Sequence, residues 1–395
     1  MLRRGLRLVA VATVAWLGGA SFYLLSLVAA AAVSPRHQRS RAAGSPLRTV
    51  ILVPAHNEEL GIQACVRALL EQREFAASHE VVVIADNCTD ATATLATAEG
   101  AIVWERHDIE HRGKGRALAW AIARVFREFP DVEVIGIVDA DCIASPFLCA
   151  GWSARFGGNI GAVQSDYRIS NPKASGAAAR RWAGFALMHR IRGGGKDALG
   201  LSCGLFGTGM AFSAELLRAL PWTSFSITED LEYHVRLVEA GWRVAFMPKV
   251  SVDSPAPLTE AEAQIQQMRW ETGNVEIARR TIHRLISEGA LRRDPQRIHL
   301  ALEQLVPSQS IMAAGSLGAT AVALVAGDRR TAKAAQAVLL AQVVYVIGGL
   351  GIAEAPAPVW RAIVGAPLLI ARKVGQFAQI GAGRGATEWA RSGRG

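Results

Sequence analysis

Apolar and polar positions along the chain divide it into three regimes. Residues 8–33 form a nearly unbroken apolar run, long enough to span a bilayer with some tilt. Residues 34–46 are a polar linker containing proline and arginine. From residue 49 onward, short apolar runs of strand length (TVILV at 49–53, EVVVI at 80–84, AIVW at 101–104, VIGIV at 134–138) alternate with helical patterns at 60–70, after Asp90, and at 116–129. Such alternation predicts an α/β fold with a mostly parallel, doubly wound sheet. Ligands bind such sheets beyond the carboxyl ends of the strands. The polar clusters 54–59, 86–90 and 139–141 fall there.

Beyond Asp141 the pattern is less regular. A strand is expected at 161–164, a flexible glycine triplet at 193–195, and a Gly-rich apolar segment at 203–213. A helix at 226–240 precedes a strand at 242–247 that ends at Pro248. Residues 258–286 read as a long amphipathic helix carrying Arg279, Arg280 and Arg284, which suggests an interfacial position. Two further spanning candidates lie at 311–327 and 334–353. Residues 359–371 are too short to span and contain Arg361, so they read as interfacial or re-entrant.

The 395 residues allow one large domain with additions, or two domains. Hydrophobic residues make up 51% of the chain, high for a purely soluble enzyme. Net charge is +9, from 43 basic and 34 acidic residues, and many of the arginines (Arg3, Arg4, Arg7, Arg36, Arg39, Arg41, Arg372, with Lys373) lie beside apolar segments. That points to membrane lipids; no basic stripe interleaved with aromatics suggests nucleic acid. Arg3 and Arg4 before the first apolar run, and Ala29 to Ala32 near its end, also suit a cleaved signal peptide. The run exceeds the roughly 7–15 residues of a signal core, so a retained anchor is expected. Its following flank, 36–48, is the more basic, which places the next domain in the cytoplasm. Two C-terminal spans would return the tail there too, but the basic turn 328–333 argues against that topology. The five cysteines show no metal-ligand spacing and read as reduced thiols.

Asp139 and Asp141 stand two apart in extended chain and point to one side. They can converge on one hard cation, Mg²⁺ or Mn²⁺, with substrate phosphates completing the shell. Asp86 can accept hydrogen bonds from a base or ribose, or merely form an Asx turn capping the next helix. Lys114, between two glycines, can approach phosphates, or be a surface lysine. Thr228-Glu229-Asp230 opens a helix; Ser226 and Glu229 fit a capping box, and Asp230 fits a general base whose activation depends on burial or nearby acids. Gln266, Arg269 and Trp270 share one helix face. Arg269 can hold a diphosphate and Trp270 can stack on a sugar, or the pair can anchor the helix at lipid headgroups. Gly207, Thr208 and Gly209 form a plain loop or a backbone surface that an acceptor can approach. A dinucleotide-binding protein is rejected, because 54–59 lacks G-x-G-x-x-G.

Taken together, VILVPAHNEE, ADNCTD, RGKGRAL, VDADC, GTGMAFS, ITEDLE and QQMRW stand in the order expected of family 2 glycosyltransferases of the GT-A fold. The chain resembles that family over roughly 49–275, most nearly its membrane-embedded cellulose synthase/hyaluronan synthase-like branch. The resemblance implies residues 1–35 as a transmembrane anchor, 45–255 as a GT-A (Rossmann-like) domain, 256–308 as amphipathic interface helices and 309–395 as a C-terminal membrane region. It implies that Ala55 and Glu58 line a nucleotide, that Asp86 binds its uracil or ribose, and that Lys114 lies at the diphosphate. Asp139 and Asp141 match the D-x-D, with Asp141 the direct metal ligand. Asp230 matches the base of T-E-D, beside Glu229 and the 207–209 loop on the acceptor side. Gln266, Arg269 and Trp270 match Q-x-x-R-W, which holds the diphosphate and the acceptor sugar.

The implied reaction is one inverting displacement from a nucleotide sugar, expected to be a UDP-sugar, onto a glycan or lipid-linked acceptor at the cytoplasmic face of the inner membrane. The chain departs from the pattern at Asn87, where the family has Asp or Gly. It also has few spans and no F-x-V-T-x-K gating loop, so polymer export is not expected. A polyprenyl-phosphate sugar synthase and a non-catalytic membrane scaffold of the same fold are the alternatives.

Overall fold

The computed structural model describes residues 1–33, 47–73, 79–257 and 259–364, with only the helical backbone given for 260–265. The expected linker at 34–46, Leu258 and everything beyond 364 lie outside the described residues, including Arg372, Lys373 and most of the expected re-entrant segment. In chain order the elements are α1 (Leu2–Val33), β1 (Thr49–Ala55), α2 (Ile62–Leu70), β2 (His79–Asp86), α3 (Thr92–Ala98), β3 (Ile102–Arg106), α4 (Lys114–Glu128), β4 (Val134–Ile137), β5 (Ile143–Ala144), α5 (Leu148–Ser153) and β6 (Ile160–Ile169). Then come α6 (Gly176–Phe185), a π-helix (Ala186–Arg192), α7 (Gly193–Ala198), β7 (Met210–Ser213), α8 (Ala214–Ala219), α9 (Glu229–Glu239) and β8 (Arg243–Ser254). Last are α10 (Glu260–Arg292), α11 (Pro295–Gln304), α12 (Gln309–Val325), α13 (Arg329–Ile352) and α14 (Ala357–Ile363).

The eight strands form one sheet in the order β3-β2-β1-β4-β7-β6-β8-β5. The first four strands in that order run parallel, as the alternating pattern predicts. The second half is mixed: β7 runs antiparallel to both β4 and β6, and β5 antiparallel to β8. This departure shapes the site. Pairing Ile137 with Met210 lays residues 207–209, just before β7, beside residues 138–141, just after β4. β8 continues past Pro248 instead of ending there. Its register with β6 jumps from Ser165–Met247 to Asp166–Ser251, so the proline, which has no N–H to give, falls in an irregularity.

Strand periodicity builds the core on both faces. Val50 and Leu52 of β1 pack with α4, while Ile51 and Val53 pack with α2 and α5. A third apolar cluster joins the membrane-type helices to the domain, with Leu17 and Leu24 of α1, Leu187 and Ile191 of the π-helix, and Tyr345 and Leu350 of α13. The triplet 193–195 is not flexible. It forms the first turns of α7, packed so tightly on α1 that a side chain at Gly195 would collide with the Leu27 backbone.

α1 and α13 are each long and apolar enough to cross a membrane, and α11 with α12, bent by 69°, would make a third span if counted as one. Outward-facing Val9, Trp16, Phe22, Leu317, Leu340 and Val344 leave these helices with apolar outer surfaces. α10 is longer than expected, and its arginines are not all free for lipid: Arg284 pairs with Glu239 of α9 at 2.7 Å.

Candidate functional site

Beyond the carboxyl ends of β1, β2 and β4 lies a cavity of about 1740 Å³ that continues past α9 and α10 to the junction of α11 and α12. Of the residues nominated from sequence, all line it except Thr208 and Gly209. Those two are a correction. Thr208 is fully buried, and its Oγ1 accepts a hydrogen bond from the Asp139 N–H at 2.9 Å. It fixes the aspartate loop from beneath, and only Gly207 of that loop faces the cavity.

Lys114 is the hub. It is the first residue of α4, where a cation meets the positive end of the helix dipole and needs acidic partners. Its Nζ donates to Asp139 Oδ1 at 2.5 Å and to the Gly207 carbonyl at 2.6 Å, and lies 3.8 Å from Glu229 Oε1. Burial opposes its charge, but Asp139 and Glu229 outweigh that and hold its pKa above the usual lysine value. A side chain at Gly115 would collide with the Ser224 carbonyl, so the glycine lets the start of α4 approach the loop that leads into α9.

Glu229 and Asp230 occupy the first turn of α9. Burial raises both carboxyls, Glu229 to about 7, against the lowering field of Lys114. The activation by burial that a base at Asp230 requires is therefore present. The capping box is not: Thr228 is the N-cap and makes no side-chain cap bond, Glu229 turns toward Lys114, and Glu232 instead accepts from the Phe225 and Ser226 amides. α10 closes over this turn, since a side chain at Gly273 would collide with Thr228.

At the other end of the site, Asp86 does not cap α3. The Asx turn leading into α3 is made by Asp90, which accepts from the Thr92 N–H at 3.0 Å, and the N-cap itself is Ala91. Asp86 Oδ1 instead accepts from Arg106 Nη1 at 2.6 Å, and Arg106 is its register partner on β3. Arg106 went unnoticed in the sequence, although its place at a strand's carboxyl end was a signal. Asn87 sits at φ 52°, where asparagine is tolerated better than most residues, and its side chain donates to the Asp108 carbonyl and accepts from the Asp108 N–H. Glu58 is tied down by its N–H, which donates to Thr92 Oγ1 at 2.8 Å.

Gln266, Arg269 and Trp270 do share the face of α10 that lines the cavity, so Trp270 is no headgroup anchor. Burial lowers the Arg269 pKa, against the fields of Glu229 and Asp139, which raise it. The partner missed from sequence is Arg181 of α6. It donates to Gln266 Oε1, and its guanidinium stacks over Trp270 at 4.5 Å. No local pattern marks it, because only the tertiary fold brings α6 to α10.

Residues 46–273 match the family described as "Glycosyltransferase like family 2". Among curated relatives, a probable glycosyltransferase of Bacillus subtilis is 25% identical over 242 residues, covering 57% of this chain and 54% of its own length. The beta-monoglucosyldiacylglycerol synthase of a Nostoc species is 28% identical over 247 residues, covering 60% of this chain and 51% of its own. The chain thus spans about half the length of the curated relatives it matches. Among solved structures, a mannosyltransferase of Pyrobaculum calidifontis, determined with GDP-Man and Mn²⁺, shares the fold with a TM-score of 0.57, covering 88% of this chain and 98% of that one at 19% identity. With more than half of its residues matched to one family and a sheet of the GT-A kind, the chain belongs to glycosyltransferase family 2 and has the GT-A fold.

Proposed function

We propose that this glycosyltransferase moves a sugar from a nucleotide-diphosphate donor, a UDP-sugar, to a hydroxyl of a lipid acceptor at a membrane surface, in one inverting displacement. The observation that carries the reading is the placement of Lys114, which draws Asp139 on the donor side and Glu229, next to Asp230, on the acceptor side toward one ammonium. In this reading Ala55, Glu58 and Asp86 hold the nucleoside, and Lys114, Arg269 and Gln266 hold the diphosphate. Trp270 and Gly207 receive the acceptor. Asp230 takes the proton of the attacking hydroxyl as it closes on the anomeric carbon. The charge left on the departing diphosphate is met by Lys114 and Arg269.

The residues present suit a divalent cation. Asp139 and Asp141 both line the cavity, and the lysine on Asp139 leaves Asp141 the better ligand. Among the described residues no group of three or more His, Cys, Asp or Glu is arranged to hold an ion alone. Two carboxylates with diphosphate oxygens and water are a usual set for Mg²⁺ or Mn²⁺. When bound, the ion would neutralise charge on the leaving diphosphate.

The lipid acceptor is supported by the relative named for a glucosyldiacylglycerol product and by a cavity that runs toward the helices with apolar outer surfaces. Residues 1–35 then anchor a catalytic region at 45–255 on the cytoplasmic side, 256–308 cover it, and 309–395 return to the membrane. The test is calorimetry with UDP. The wild type is expected to bind UDP about ten-fold more tightly with Mn²⁺ than without, and Asp141→Ala to lose that gain alone. Equal affinity with and without Mn²⁺ in the wild type would remove the metal from the reading.

A further inference from the structure

The cavity extends beyond Trp270 into a region the proposed reaction does not use, walled by α6, the π-helix and α11. Two guanidiniums face it with no carboxylate bonded to them among the described residues. Arg181 gives its Nη2 to the neutral Gln266 amide and stacks on Phe185 and Trp270 at 5.1 and 4.5 Å, while its buried Nε has no partner among the described residues. Arg192, at the end of the π-helix, gives its Nε to the Tyr345 hydroxyl at 2.9 Å, again a neutral partner. The carboxylate whose field reaches Arg192 is Glu303, and it is already bonded to Lys196 at 2.7 Å.

His189 lies amid these cations, stacked between Tyr167 and Phe206 at 5.4 and 4.2 Å. Burial, helped by Arg181, Lys196 and Arg192, pushes it down to about 3, so at neutral pH it adds no charge of its own. Burial also pulls Arg181 down to about 10, the mark of a charge taken out of water without an opposite one beside it. Buried charges are paired in stable proteins, because desolvation costs several kcal/mol per ion. Against burial, Tyr345 and Glu303 hold Arg192 charged. Two planar forks in one cavity, neither bonded to a carboxylate among the described residues, fit an anion that arrives from outside, and fork geometry fits phosphate oxygens.

We propose that Arg181 and Arg192 form a phosphate-recognition site for the headgroup of an anionic lipid. The lipid source is argued from position. Tyr345, which orients Arg192, belongs to α13, and the π-helix packs in one apolar cluster with α1 and α13. π-Helical turns are rare and concentrate at functional sites; this one turns Leu187, Met188, His189 and Arg192 to the cavity. The inference rests on the proposed function only for its last step, in which the bound headgroup offers a hydroxyl to Asp230. The phosphate is then a recognition element and not the nucleophile.

The test uses the full-length protein in neutral detergent, with dioleoylphosphatidylglycerol and dioleoylglycerol as probes and native mass spectrometry as the readout. The wild type is expected to retain phosphatidylglycerol at least about ten-fold more tightly than diacylglycerol, and Arg181→Gln and Arg192→Gln each to remove about ten-fold of that affinity. Arg192→Lys, which keeps the charge, should keep most of the binding. The outer-face control Arg280→Gln should leave binding unchanged. Equal retention of the two lipids, or retention unaffected by both glutamine variants, would overturn the proposal. So would displacement of the lipid by an equal concentration of inorganic phosphate, or a loss of UDP affinity in place of lipid affinity. If the wild type prefers phosphatidylglycerol yet binds no UDP, this site stands and the glycosyltransfer reading fails instead.

Discussion

Lys114 is where one residue's chemistry can be read most directly. Its ammonium lowers the pKa of both Glu229 and Asp230, while burial raises them, Glu229 to about 7. The two acids are neighbours, so the pH dependence belongs to the pair. Because the base must be ionised and burial raises Asp230 above the usual carboxylate range, transfer is expected to decline on the acid side at a higher pH than an ordinary aspartate would give. Stability runs the other way. A carboxyl raised above its unfolded value favours the fold most when protonated, and that contribution is lost as pH rises through about 7. Lys114→Met removes the cation that lowers both groups, so the acid limb of the pH–rate profile should move upward. A limb that stays in place would show that Lys114 does not govern the pair.

The sequence already singled out Asp139, Lys114 and Asp230, because each stands at the end of a recognisable strand or the start of a recognisable helix. Thr208 and Arg181 were misread or missed, because their roles exist only in contacts across the fold: 69 residues separate Thr208 from the amide it holds, and 85 separate Arg181 from Gln266.

Among the elements, α10 approaches the start of α9, the side of the cavity where we propose the acceptor binds. Gly273 permits it, since any side chain there meets Thr228. Gly273→Leu overpacks the contact, a change that costs about 1–3 kcal/mol when buried. It should lower transfer by about ten-fold or more and the thermal midpoint by only a few degrees, leaving the protein folded. Unchanged transfer in a folded variant would separate α10 from catalysis.

Strands and helices were legible where periodicity was clean, as in β1, β2, β4 and α4. Two elements defeated the pattern for physical reasons. Composition suggested flexibility at 193–195, but the smallness of Gly195 serves helix packing against α1. Spacing suggested a capping box at Ser226, but Glu229 is drawn away by Lys114, and Glu232 satisfies the loop amides. The antiparallel direction of β7 had no sequence signature, because strand direction depends on where the preceding helices leave the chain.

For the whole molecule, the position of α1 sets the orientation. Leu27 packs against α7 of the catalytic domain, while Arg7 pairs with Asp328 in the α12–α13 turn at 2.6 Å. Twenty residues of helix separate these points, about 30 Å, the thickness of a hydrocarbon core. The turn therefore lies at the end of the helices away from the sheet, despite its basic residues. With the native cysteines replaced, a membrane-impermeant maleimide should label Arg330→Cys in intact spheroplasts and Lys249→Cys only after lysis. Labelling of both sites only after lysis would mean that α12 and α13 do not cross.

The central claim is that this cavity transfers a sugar with Asp230 as base. The most direct test measures transfer from UDP-sugars by purified full-length protein in lipid vesicles, wild type against Asp230→Asn, with UDP affinity measured alongside. The account predicts labelled glycolipid from the wild type, a loss of about 10²–10⁴-fold in the variant, and equal UDP affinity in both. Turnover unchanged by Asp230→Asn would contradict it.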